Sequence, residues 1–98
     1  MILEAAMLYV HPTDLATFEA DFVKASQIIC QANGYIEHEL QKCMEVENKY
    51  LLLVKWDTLE NHTTDFRSSD LFEQWRAIVH PYFESKPIVE HFTTLYKH

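Results

Sequence analysis

Two stretches of this chain, ILEAAMLYV from Ile2 to Val10 and YLLLVKW from Tyr50 to Trp56, are apolar at odd and even positions alike. A β-strand sends successive side chains to opposite faces, so strands of this kind need cover on both sides of their sheet. In a chain of 98 residues, 48% of them apolar and 23% charged, the expected unit is one domain over residues 1–98, too small to hold two cores. A single Gly and three Pro leave no linker or low-complexity run.

The segments between these strands read as helices and turns. After His11-Pro12-Thr13-Asp14, apolar residues fall at Leu15, Phe18, Phe22, Ala25, Ile29 and Ala32, the spacing of one helical face. Asn33-Gly34 is expected to end that helix, with Gly34 taking the left-handed conformation. A strand from Tyr35 to Met44 follows, with Ile36, His38, Leu40 and Met44 on one side. The polar stretch Glu45 to Lys49 forms a hairpin loop, in which Asn48 is the residue best suited to a positive φ. Asp57 with Glu60 reads as a capping box opening a short helix that carries Leu59, His62, Thr63 and Phe66 on its inner face. Ser69 and Asp70 are alternative caps for a second helical segment with Leu71, Phe72, Trp75, Ile78, Val79 and Tyr82 inward, limited by Pro81. Ile88 to Leu95 forms the last strand.

The order strand, helix, strand, strand, helical region, strand is that of a ferredoxin-like α+β fold, β-α-β-β-α-β, with a four-stranded antiparallel sheet and helices on one face. Apolar residues on the other face call for a second copy of the chain.

Trp56-Asp57-Thr58-Leu59-Glu60-Asn61-His62, then Phe66-Arg67-Ser68-Ser69-Asp70-Leu71-Phe72, Trp75, and the closing Pro87-Ile88-Val89-Glu90-His91-Phe92 resemble the antibiotic biosynthesis monooxygenase domain family. The resemblance implies a dimeric α+β barrel with a pocket in each subunit between sheet and helices. It also implies an activity drawn from a mixed group: cofactor-independent oxygenation of phenols or quinols, haem degradation, isomerisation of a signalling-molecule phosphate, or none. The haem-degrading branch uses an Asn on the first strand and a Trp and a His in the helical region. This chain has no Asn on that strand, and Phe66 and Arg76 stand near the Trp and His positions.

The function expected is therefore cofactor-independent monooxygenation of a small phenol or quinol. The alternative is a non-catalytic module that binds a small molecule or a partner on the same barrel. His62, as base or hydrogen-bond partner, and Arg67, as a fixed cation for an anionic oxygen, are the candidate catalytic residues. Trp56, Phe66, Phe72, Trp75, Tyr82 and His91 are candidate substrate-binding residues, flat walls for an aromatic ligand, although alternation leaves the face of His91 open. Each has a plain reading beside it: a core histidine bonded within the protein, core aromatics, and arginines paired with Glu60, Glu73 or Asp70.

No cofactor is expected, because the only glycine, Gly34, follows a helix and builds no phosphate loop. No metal site is expected either, since no two histidines have ligand spacing. The net charge of −7 offers no basic stripe for nucleic acid or anionic lipid. Without a signal peptide or an apolar run of spanning length, and with Cys30 and Cys43 remote from any paired motif, a cytoplasmic location is expected. Two-sided strands lead to one direct expectation. Gel filtration at micromolar concentration gives a dimer, and a well-folded monomer would contradict it.

Overall fold

The computed structural model describes all residues, Met1–His98. Its elements are β1 (Ile2–Tyr9), α1 (Leu15–Ile29), β2 (Tyr35–Lys42), β3 (Lys49–Trp56), a π-helical turn (Asn61–Phe66), α2 (Asp70–Val79) and β4 (Ile88–Phe92). The strands form one antiparallel sheet in the order β2-β3-β1-β4. This is the expected ferredoxin-like arrangement, with β1 and β3 central because they alone are apolar enough to be flanked on both edges.

Register fixes which residues share a face. Glu4 pairs with Val54 on one side and His91 on the other, and Ala6 pairs with Leu52 and Val89. Glu4, Ala6, Leu8 and Val10 of the first strand segment and Tyr50, Leu52, Val54 and Trp56 of β3 are buried on the inner face. Against them pack Phe18, Phe22, Ala25 and Ile29 of α1 and Trp75 and Val79 of α2. The opposite face carries Leu3, Ala5, Met7, Leu51 and Leu53, with Ile88 57% and Phe92 49% exposed at its edge. No helix of the chain is long and apolar enough to cross a membrane.

Several boundaries differ from the expected ones, each for a local reason. Regular α1 stops at Ile29, because Gln31 N–H and Ala32 N–H donate to Ile28 and Ile29 carbonyls three residues back and tighten the last turn. A bulge between Tyr35 and Glu37 puts Tyr35 on the same side as His38, whose Nδ1 it meets at 2.5 Å, and leaves Ile36 exposed. Met44 lies beyond the strand and is exposed. Asn48 keeps a negative φ. Its role is to bridge, its Nδ2 donating to the Val10 carbonyl at 2.9 Å while its own carbonyl accepts the Val10 N–H. Strand β4 ends at Phe92, not Leu95, because Phe92 already pairs with Leu3 and β1 has almost no residues left to continue the ladder. Ser69 is the cap of α2, its Oγ accepting the Phe72 N–H at 3.2 Å, an arrangement worth about 1 kcal/mol.

The connection from β3 to α2 is not opened by an Asp57 capping box. Thr58 N–H and Oγ1–H both donate to Asn61 Oδ1, at 3.0 and 2.9 Å, and Asn61 N–H donates back to Thr58 Oγ1. Asn61 Nδ2 and Asn33 Nδ2 both donate to Asp65 Oδ2 at 3.0 Å, and the Asp57 N–H donates to the Gly34 carbonyl. The loop ending α1 is thereby clamped onto the π-helical turn. Gly34, at φ 78°, leaves the space Asn61 needs: a Cβ there would lie 2.1 Å from the Asn61 Cγ. Gly34→Ala should therefore cost roughly 1–3 kcal/mol, read as a lower urea midpoint at unchanged slope.

Candidate functional site

A cavity of about 370 Å³ opens between the inner face of the sheet and the two helices. Its lining is largely apolar, with Phe66, Phe72 and Trp75 among the walls, joined by Phe22 of α1. Phe66 meets Phe72 edge-on at 5.4 Å and Trp75 meets Phe22 edge-on at 5.7 Å, so the walls brace one another. The polar groups lining it are Glu4, His62, Arg67, His80 and Lys86.

Glu4 and His62 are the only polar or charged residues in the buried set, at 5% and 4% exposure. Glu4 reaches the site because β1 alternates. Ala6 and Leu8 point inward at the next two positions, and Glu4 takes the inward place that an apolar residue would otherwise fill. Its Oε1 accepts the Trp56 Nε1–H at 2.9 Å and stands 3.3 Å from His62 Nε2. Trp56 lies diagonally across the ladder from Glu4 and stacks on the His62 ring, centroids 5.3 Å apart and planes 19° apart. The other nitrogen of His62, Nδ1, is 2.8 Å from His91 Nε2. His91 therefore faces inward, beside Glu4 in the register.

The π-helical turn is what aims His62. Its wider winding, seen where the Arg67 N–H reaches the His62 carbonyl five residues back, buries His62 and Phe66 and turns Leu59 and Thr63 outward. Regular helical periodicity would have placed all four on one face, and here it holds for only two.

Burial sets the charges. It pushes the Glu4 carboxyl up to about 7, against smaller opposing effects of the Trp56 hydrogen bond and the Arg67 charge. It pushes His62 down to about 4, helped by the Arg67 charge and by His91, and His91 is lowered as well, by burial and then Arg67. Although Glu4 and His62 stand at ion-pair distance, desolvation outweighs their mutual attraction, and the pair is neutral between about pH 4 and about pH 7. His62 turns its two nitrogens to Glu4 and His91 on opposite sides, so the three groups do not converge on a point as ligands of one ion would.

The remaining candidate residues fall in different places. Arg67 lines the cavity from an exposed position and has no carboxylate within ion-pair distance, whereas Arg76 pairs with Glu73 at 3.6 Å on the surface. Trp56 is fully buried behind His62 and does not line the cavity. Tyr82 is a correction: it packs on Phe18 and donates its hydroxyl to Asp21, away from the cavity, because the chain leaves α2 at Val79 in a tighter turn through Pro81. His91 touches His62 and is not a wall. Glu4 is the residue the sequence reading passed over, and its signal was a lone carboxylate inside an otherwise apolar strand.

Residues 1–78 match the family model for antibiotic biosynthesis monooxygenase. The chain is 48% identical over 92 residues to the uncharacterized protein YczJ of Bacillus subtilis (strain 168), covering 94% of this chain and 97% of that one. It is 35% identical to a Bordetella bronchiseptica protein of known crystal structure named after the antibiotic biosynthesis monooxygenases, with a TM-score of 0.93 and 97% of each chain covered. SnoaB from Streptomyces nogalater, a cofactor-independent oxygenase, shares the fold at a TM-score of 0.81 and 17% identity, over 98% of this chain and 94% of SnoaB.

The two shifted groups make opposite contributions to stability. Folded Glu4 keeps a proton that the unfolded carboxylate loses between about pH 4.5 and about 7, so its contribution falls as pH rises through that window. Folded His62 binds fewer protons than the unfolded imidazole between about pH 4 and about 6.5, so its contribution rises with pH. Relative to wild type, His62→Asn should lose urea stability as pH rises from about 4 to about 6.5, and Glu4→Gln should gain it from about 4.5 to about 7. Parallel profiles for all three proteins would contradict the assignment.

Proposed function

The chain belongs to the antibiotic biosynthesis monooxygenase family, and from that premise we propose that its cavity binds a small phenol or quinol and oxygenates it without a cofactor. The observation that carries this reading is the buried Glu4–His62 pair facing an aromatic-walled cavity. A carboxyl raised to about 7 by burial is a base matched to neutral pH, strong enough to take a phenolic proton and ready to return it. His62, lowered to about 4, serves as its neutral hydrogen-bond partner.

In this proposal substrate lies between Phe66, Phe72 and Trp75 with its hydroxyl toward Glu4. Loss of the proton makes the ring electron-rich enough to pass an electron to dioxygen. Recombination forms a carbon–oxygen bond, and cleavage of the resulting peroxide leaves one oxygen atom on the ring as a quinone carbonyl and releases the other as water. Arg67, exposed at the cavity and free of a carboxylate partner, is the cation that holds the developing oxyanion. The apolar lining keeps bulk water from the reacting centre. SnoaB, described as a cofactor-independent oxygenase, is the relative by fold whose chemistry this most resembles.

We also infer that a second copy covers the outer sheet face, on which Leu3, Met7, Leu51, Leu53, Ile88 and Phe92 are left without helices. A homodimer working in the cytoplasm, with Cys30 and Cys43 as free thiols, fits that reading.

Oxygen uptake with a panel of quinols and phenols tests the activity. Turnover should fall about a hundredfold or more in Glu4→Gln, with KM changed less than kcat. Uptake at background for the whole panel, or equal rates for wild type and Glu4→Gln, would overturn the proposal.

A further inference from the structure

Glu4, His62 and His91 form a line running from the cavity to the edge of the sheet. Glu4 lines the cavity on central strand β1, His62 lies between, and His91 belongs to edge strand β4 and is only partly buried. The spacing is continuous: 3.3 Å from Glu4 Oε1 to His62 Nε2, then 2.8 Å from His62 Nδ1 to His91 Nε2. No buried side-chain nitrogen or oxygen lacks a partner, and His91 Nδ1 bonds no protein group, so that nitrogen is within reach of water.

A ring held at both nitrogens cannot gain a proton at one without giving one up at the other, unless it becomes a cation. Here the cation is opposed by burial and by the Arg67 charge, the one permanent charge acting on Glu4, His62 and His91 alike. Trp56, the remaining polar neighbour, only donates its N–H to Glu4. Two neutral arrangements of the imidazoles are left. In the first, protonated Glu4 donates to His62 Nε2, His62 Nδ1–H donates to His91 Nε2, and His91 carries its proton on Nδ1. In the second, ionised Glu4 accepts from His62 Nε2–H, His62 Nδ1 accepts from His91 Nε2–H, and His91 Nδ1 is bare.

We propose that Glu4, His62 and His91 are a proton relay that connects the cavity to solvent, with His91 as its outer terminus. Passing from the first arrangement to the second moves one proton from Glu4 to His62, one from His62 to His91, and one from His91 to water. Glu4 is left ionised and both imidazoles neutral, and neither ring turns over. For the oxygenase reading on which its role in turnover rests, the relay keeps Glu4 in proton exchange with solvent, so that it meets each substrate ionised, without admitting water to the cavity. His91 acts through His62 and is a positioning residue that never meets substrate.

The test needs no substrate, so a failed quinol assay and a failed relay are separate results. Long-range ¹⁵N–¹H NMR of both imidazoles is recorded from about pH 5 to about pH 9, with the infrared carbonyl band of protonated Glu4 identified by its loss in Glu4→Gln. The expected result is a switch of His62 from Nδ1–H to Nε2–H, and of His91 from Nδ1–H to Nε2–H, at the midpoint of Glu4 ionisation. A His62 tautomer that stays fixed while Glu4 ionises overturns the proposal. In His91→Gln, whose amide still donates to His62 Nδ1 but cannot pass a proton on, infrared relaxation of the Glu4 band after a pH jump should slow about tenfold or more and recover with added imidazole. Relaxation as fast as wild type would mean that Glu4 exchanges through cavity water, and would equally overturn it.

Discussion

A carboxyl group buried on the inner face of the central strand is the constraint on which this site depends. Glu4 occupies an inward position between apolar neighbours, and a carboxyl taken from water without partners would cost several kcal/mol. The protein meets that cost from two further elements. Strand β3 supplies the Trp56 N–H, and the π-helical turn supplies His62. Satisfying His62 in turn draws in His91 from β4. One residue on β1 thereby ties three other segments together, and the same burial that makes the group costly gives it a proton affinity suited to neutral pH.

The positioning extends beyond the site. His62 can reach Glu4 only because the chain after β3 winds wider than an α-helix, and that winding is clamped by Asn61, Thr58 and Asp65 against the loop that ends α1. Gly34 leaves room for Asn61 at the centre of the clamp. A glycine with no chemistry of its own thus bears on a histidine it does not touch. A second polar tie, from Ser26 on α1 to His38 on β2 at 2.8 Å and on to Tyr35, fastens the edge strand to the helix layer, so both ends of the sheet are held by histidines that face inward.

Much of this was legible in residue order. The apolar faces of α1 and β3 were readable because Phe18, Phe22, Ala25 and Ile29, and Tyr50, Leu52, Val54 and Trp56, repeat at the periods of their elements. Phe66, Phe72 and Trp75 were readable as cavity walls for the same reason. Where period fails, so does the reading. A π-helical turn has no apolar repeat that distinguishes it from an α-helix over six residues, so Leu59 and Thr63 were placed inward wrongly. The bulge after Tyr35 shifts alternation by one, and Tyr82 packs on Phe18, away from the cavity, because Pro81 tightens the chain beyond Val79.

The sequence by itself determined the sheet, its helical cover, the surplus apolar face and an aromatic interior, because these follow from side-chain periodicity along single elements. Only the tertiary structure decided that Glu4 and His91 flank one another across a ladder, and that both His62 nitrogens are engaged. Residues 4, 56, 62 and 91 are far apart in the chain. Their meeting depends on strand register and on the winding of one short turn, which are set by packing between elements and leave no mark at any single position.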